Sequence, residues 1–289
     1  MIITRLKGGL GNQMFQYALG RRLALKNNDV LKLDTSAFNE VQAGETPRSY
    51  ELSAFAIKGE VATVEEIKKS RYPLGIFSKL MEITEQKILR RHHTRFEPHI
   101  LSKTGTIYLN GYWQSPRYFE EIRDTLLKDF TLAKPLSKEA EAFGAKIRSK
   151  NAASLHVRRG DYIANTKVRD LYGPCTIPYF ERSIREMEMG AGDVSWFVFS
   201  DDIKWAKDSL PLPASAVYIA GKALTAAEEL HLMSLCKHNV IANSTFSFWG
   251  AWLNINPNKV VIAPRPWFDY APTFNDDIIP DTWTQIPKN

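Results

Sequence analysis

Ala152-Ala153-Ser154-Leu155-His156-Val157-Arg158-Arg159-Gly160-Asp161-Tyr162 opens as a short apolar run and ends in a cluster of charge. The run reads as a buried strand. Its end places a histidine, two cations and a carboxylate at the C-terminal edge, where open α/β sheets bind their ligands. Two planar guanidinium forks that cannot lose their charge suit a diphosphate. The competing reading is an exposed turn of solvated charges, and this stretch alone does not choose between them.

Outward from it, the second half of the chain alternates. Strand 152–157 is followed by a helix over 179–189. Strand 195–199 is followed by Ser200-Asp201-Asp202 and a helix to Leu210. Strand 216–219 precedes a helix over 226–236, strand 239–242 precedes Asn243-Ser244-Thr245 and a helix over 246–253, and strand 259–262 closes the set. Such alternation predicts right-handed βαβ units and a parallel sheet. Parallel strands bring three polar clusters to one edge: His156 to Asp161, Ser200 to Asp202, and Asn243 to Ser247. That coincidence points to a ligand site more strongly than any one cluster does. The arginines supply charge for phosphates. Asn243, Ser244 and Thr245 precede a helix whose backbone N–H groups hold anions, although Ser244 or Thr245 also fits a plain helix cap. Asp201 or Asp202 can accept from a purine edge or a ribose, and one of them also fits a cap. His156 fits either a base or ribose contact or a satisfied structural histidine.

The chain begins in the same idiom. Strand 2–6 leads into Gly8-Gly9-Leu10-Gly11-Asn12-Gln13, then a helix over 14–25 and a strand over 30–34. Glycines let backbone approach a ligand, and a helix N-terminus favours anions. The spacing is not the dinucleotide fingerprint, because Met14 stands where the third glycine belongs. Asp34 lies near the distance of a ribose acid, but without that glycine NAD is disfavoured. A helix is expected over 77–91, a strand over 106–114, a helix from Ser115-Pro116 to Phe130, and a helix over 139–148 bridging two domains, 1–145 and 146–289.

The composition is that of an ordinary folded chain: 289 residues, 44% hydrophobic, 24% charged. Two cysteines make no disulfide framework and no zinc spacing, so a reducing compartment fits. The start is too quickly charged for a signal peptide, and no apolar run reaches membrane-spanning length. The net charge of +6 sits mostly in the first half, where residues 1–145 hold 22 Lys+Arg against 17 Asp+Glu. It gathers at Lys87 to Arg95. That patch reads first as the solvated end of a helix, with weak attraction to an anionic membrane surface second. No nucleic-acid motif accompanies it, so no nucleic-acid partner is expected.

The motifs Gly8 to Ala18, Gly111-Tyr112-Trp113-Gln114-Ser115, His156 to Tyr162, Phe199 to Asp202 and Asn243 to Gly250 resemble those of glycosyltransferase family 11, the α-1,2-fucosyltransferases that use GDP-fucose. The resemblance runs from residue 1 to about 268, and is vague over 40–105. It implies an α/β fold of two Rossmann-like domains facing a cleft (the GT-B type), inversion at the anomeric carbon, no metal and no cofactor. The implied partners are GDP-fucose and a galactose-terminated glycan acceptor. The implied location is the cytoplasm, at most peripheral to the inner face of the membrane. By motif, Arg158 binds the diphosphate with Arg159 beside it. His156 and one of Asp201 and Asp202 hold guanine or ribose. Ser244, Thr245, Phe246 and Ser247 lie along the phosphates and fucose, with Asn243 in the same run. Gly9, Gly11, Asn12 and Gln13 approach from the other domain. Asp161 either takes the acceptor proton or orients an arginine. A non-catalytic nucleotide-sugar or glycan-binding module is the alternative.

Overall fold

Gly8 and Gly9 turn the chain from β1 (Ile2–Arg5) into α1 (Leu10–Lys26). The helix starts earlier than its apolar period suggests. Gly9 is its N-cap, with no side-chain cap, so Gly11, Asn12 and Gln13 form its first turn rather than a loop. Gly8 has a φ of +77°, a conformation that favours glycine. α1 is buried on nearly every side, and its polar positions are used internally. Gln16 accepts the backbone N–H of Lys7 and donates to its carbonyl, at 2.9 and 3.2 Å. Gly20 does the packing work absent at Met14: a Cβ there would stand 2.9 Å from Leu31 Cδ1 and 3.2 Å from Thr4 Cβ.

The computed structural model describes residues 1–39, 47–72, 95–160, 163, 169–170, 172–220, 224–269 and 277–289. The helix expected over 77–91, all of the basic patch but Arg95, and Asp161 lie outside them. The chain divides into Met1–Thr131 and Leu132–Asn289, earlier than the expected 145.

In the first unit, β1 pairs with β2 (Leu31–Asp34) and β4 (Ile107–Leu109), and β3 (Glu60–Val61) pairs with β2. All pairs are parallel, in the order β3-β2-β1-β4. Alongside are α2 (Val64–Arg71), held by a capping box between Thr63 and Glu66, and α3 (Arg123–Asp129). The single helix expected from Pro116 to Phe130 is instead two short 3-10 turns followed by α3. Strand β4 stops at Leu109, and Trp113 has a φ of +52°, which no strand tolerates.

In the second unit the order is β10-β9-β8-β5-β6-β7, again all parallel. The strands are β5 (Ala152–Val157), β6 (Ser195–Ser200), β7 (Val217–Ala220), β8 (His238–Val240), β9 (Val261–Arg265) and β10 (Thr284–Pro287). This is the doubly wound order, with its switch point between β5 and β8. β10 escapes the sequence reading because it is an edge strand ending in proline, with one buried residue. The helices are α4 (Lys138–Arg148), α5 (Ile177–Ala191), α6 (Ile203–Ser209), α7 (Ala226–Leu235) and α8 (Thr245–Leu253). Side chains alternate across the sheet, as the period of two requires. Trp196 and Val198 pack with Tyr179, Ile184 and Met187 of α5. Phe197 and Phe199 pack with Ala140 and Ile147 of α4 and Leu232 and Met233 of α7. Helix α4, expected as a bridge, is thus part of the second unit's core. Truncating the fully buried Phe199 to alanine would cost about 3–5 kcal/mol.

Candidate functional site

The site in the second unit follows from strand register. Val157 pairs with Ser200 at the C-terminal edge, so the residues after β5 meet those after β6. Arg158 Nη1 lies 3.0 Å from Asp201 Oδ2. Asp201 also accepts the backbone N–H of Arg159 at 2.9 Å and of Gly160 at 3.1 Å. A Cβ on Gly160 would stand 2.8 Å from Asp201 Oδ2. Glycine at 160 leaves room for the close approach of this carboxylate.

Asp202 caps α6, accepting the backbone N–H of Trp205 at 3.0 Å. Its other oxygen accepts from Arg159 Nε at 3.3 Å, and the Arg159 guanidinium lies 4.0 Å from the centre of the Trp205 ring. Of the two aspartates, one expected to contact guanine or ribose and one to fit a cap, Asp202 is the cap and Asp201 staples the loop after β5. Trp205 was not legible as a site residue, since nothing in its spacing sets it apart from a core aromatic.

His156 closes the gap to the next strand. It is 6% exposed, and its Nδ1 has no hydrogen-bond partner among the described residues. Its ring centre is 5.8 Å from that of Phe246, in the first turn of α8. Burial first, and the Arg158 charge second, push the imidazole down to about 3, so it is neutral. A neutral imidazole with an unsatisfied buried nitrogen has a hydrogen bond to offer a ligand.

The third cluster divides. Asn243 is 1% exposed and donates to the carbonyls of Tyr172, Gly173 and Trp267 at 2.8, 2.9 and 3.1 Å. It ties loops together rather than facing a ligand. Ser247 is buried and donates back to the carbonyls of Ala242 and Ser244, both at 3.2 Å. Ser244 is the N-cap residue of α8, but its side chain makes no cap bond. Thr245 and Phe246 are half-buried at the head of that helix. One further carboxylate belongs here without any sequence signal. Glu229 in α7 is pushed up to about 7 by burial and then by the charge of Asp201.

In the first unit, Gln13 is fully buried. It donates to the carbonyls of Gly8 and Ser49 at 3.0 and 2.8 Å and accepts the N–H of Glu51 at 2.9 Å. It is a bracket for the glycine turn. Asn12 is partly exposed and accepts from Gln114 Nε2 at 2.8 Å. Arg48 Nη1 lies near Gly9, 3.7 Å from where a Cβ would stand. Gly11 is buried within α1. Asp34 accepts from the Tyr108 hydroxyl at 2.5 Å and from the Ser36 N–H at 2.9 Å, which occupies it in place of a ribose. Among the described residues, no three His, Cys, Asp or Glu side chains converge on a metal-sized site. No helix of the described residues is long and apolar enough to cross a membrane.

The family model for glycosyl transferase family 11 matches residues 1–287. The chain belongs to that family. An alpha-1,2-colitosyltransferase of Escherichia coli is 33% identical over 300 residues, covering 100% of this chain and 99% of that one. The galactoside 2-alpha-L-fucosyltransferase Sec1 of Mus musculus is 26% identical over 263 residues, covering 88% of this chain and 64% of the mouse protein. Among solved structures, NodZ alpha-1,6-fucosyltransferase soaked with GDP-fucose matches with a TM-score of 0.52 at 14% identity, covering 87% of this chain and 91% of that one. At that identity the likeness is one of fold. The two α/β units with parallel sheets are those of the GT-B type. Within this family-11 chain, the described site residues of the second unit lie along the C-terminal edge of its sheet, with His156 and Phe246 at the switch point between β5 and β8, where doubly wound folds bind nucleotides.

Proposed function

We propose that the protein transfers L-fucose, with inversion, from GDP-fucose to the 2-hydroxyl of a galactose residue in a glycan acceptor. What carries the reading is the meeting of His156, Arg158 and Phe246 at the edge of the second sheet. His156 Nδ1 hydrogen-bonds the nucleoside, the Phe246 ring packs beside it, and the arginines with the head of α8 face the diphosphate. As the bond from the anomeric carbon to GDP loosens, charge builds on the leaving diphosphate and Arg158 stabilises it. The arginines take the part a metal plays elsewhere, so no metal is assigned. The acceptor hydroxyl gives its proton to Asp161 or to solvent. The Asp161→Asn variant separates two roles: a base loses turnover and keeps GDP affinity, whereas an arginine-orienting residue loses both.

Transfer of colitose from its GDP-activated form is the second reading, favoured by the 33% identity to a colitosyltransferase. Supplying each sugar nucleotide in turn to an array of galactose-terminated glycans decides between them. GDP release and a new glycoside only with GDP-fucose is the expected result. Binding of GDP without turnover of either donor on any acceptor would favour a non-catalytic module. The reading places the protein in the cytoplasm, with weak attraction to the inner membrane face. Failure to sediment with anionic vesicles at low salt would remove that attraction.

A further inference from the structure

The first sheet has its own switch point, between β1 and β4, and a pair of side-chain amides sits there. Gln114 follows β4, is 3% exposed, and donates from Nε2 to Asn12 Oδ1 at 2.8 Å. That bond fixes which way the Asn12 amide faces. Its oxygen is turned to Gln114, and its Nδ2 is left as a donor over the glycine turn. A Cβ on Gly8 would stand 2.7 Å from Asn12 Nδ2, so the left-handed glycine also makes room for this amide. Gln114 Oε1 has no hydrogen-bond partner among the described residues, and the bond from Gln114 engages the Asn12 oxygen rather than its Nδ2. A buried amide that leaves its oxygen unsatisfied is a poor device for stability alone, since an unmade buried bond costs about 1–3 kcal/mol. Nor does the pair resemble the neighbouring Gln13 and Gln16, whose amides bond backbone groups at both ends.

We propose that Gln114 is a positioning residue. It holds the Asn12 amide so that Nδ2 donates to a hydroxyl oxygen of a sugar bound at this switch point, the galactoside acceptor. The proposal rests on the glycosyl-transfer reading above. A neutral amide suits a neutral hydroxyl, and a donor fixed in place loses little freedom on binding.

The test is a double-mutant cycle with Asn12→Ala, Gln114→Leu and both together. It uses whichever of GDP-fucose and GDP-activated colitose the wild type accepts. A wild type that transfers from neither overturns the glycosyl-transfer reading and this proposal with it. With transfer observed, each single variant should lower kcat/KM on the order of 10-fold or more, and the double should fall no further than the worse single, because residues acting as one unit are not additive. Losses that multiply would overturn the positioning role. A rise in KM for the acceptor is the expected split, and a rise in KM for the sugar nucleotide alone overturns the contact. Unchanged kcat/KM in Asn12→Ala overturns the contact itself. Should Gln114→Leu not fold, Gln114→Glu replaces it. A protonated carboxyl can donate to Asn12 Oδ1 and a carboxylate cannot, so the ratio of variant to wild-type activity should rise as pH falls. Lys7 and Arg48, the charged groups beside the turn, are present in both proteins, so the ratio isolates position 114. A ratio that does not change with pH overturns the proposal.

Discussion

Arg158 and Asp201 lie one residue beyond paired positions on neighbouring strands, with Nη1 and Oδ2 3.0 Å apart. The arginine assigned to the diphosphate is therefore set by the end of the adjacent strand as well as by its own. Lysine at 158 keeps the charge and loses the fork. Turnover is expected to fall on the order of 10²-fold, the scale of losing one transition-state donor. Near-normal turnover would remove Arg158 from the mechanism. Asp201→Asn should weaken GDP binding as well, because the loop and the guanidinium lose a shared acceptor. Titration calorimetry with GDP reads this directly.

Gly160→Ala tests the staple from the other side. The added methyl meets the Asp201 carboxylate at 2.8 Å at a position with no left-handed φ, so the cost is one of space, about 1–3 kcal/mol. Combining it with Asp201→Ser should recover part of that loss in a denaturant melt. A double variant as unstable as the sum of the singles would mean that the clash is not the cause.

His156 governs part of the acid response. Its folded value of about 3 lies below the ordinary 6.5. The unfolded chain therefore binds a proton that the folded chain refuses as pH falls from 6.5 toward 3, and stability declines over that window. His156→Gln should flatten this limb, narrowing the gap between urea midpoints at pH 7.5 and pH 4.5. An equal gap in both proteins would show that the imidazole is not held neutral.

Glu229 acts in the opposite direction along the pH axis. Its folded value of about 7 exceeds the ordinary 4.5. The folded chain keeps its proton while the unfolded chain loses it, so stability falls as pH rises from 4.5 to 7 and the penalty stays constant above. Glu229→Gln is expected to match the wild type near pH 4 and to melt at a higher temperature at pH 8. Coincident melting curves at pH 8 would count against it.

Metal independence is open to a direct check. Activity is expected to survive dialysis against EDTA. Loss with EDTA and recovery on adding Mn²⁺ or Mg²⁺ would replace the arginine account with a metal one.

The sequence was most legible where the physics is periodic. Buried β5 and the alternation after it gave the parallel sheet, and parallelism brought His156, Arg158, Asp201 and the head of α8 to one edge. It was least legible where one residue type serves two ends. Gln13, Asn243, Asp201 and Asp202 have the chemistry of ligand contacts, yet the structure spends them on loops and caps. Only tertiary neighbours such as Ser49, Tyr172 and Trp205 reveal that. Trp113 shows the same limit in the backbone: its place in an apolar run suggests a strand, and its φ of +52° ends one.

The pairing of two arginines with two aspartates also bears on the charge balance of this edge. Two guanidinium groups on adjacent residues would repel each other in an empty site. Asp201 and Asp202 balance them, so the vacated edge relaxes to a settled arrangement rather than a frustrated one. The guanidinium groups therefore have fixed positions set by the protein itself, Arg158 3.0 Å from Asp201 and Arg159 3.3 Å from Asp202. The carboxylates make the two forks a preset pair rather than two side chains free to splay apart.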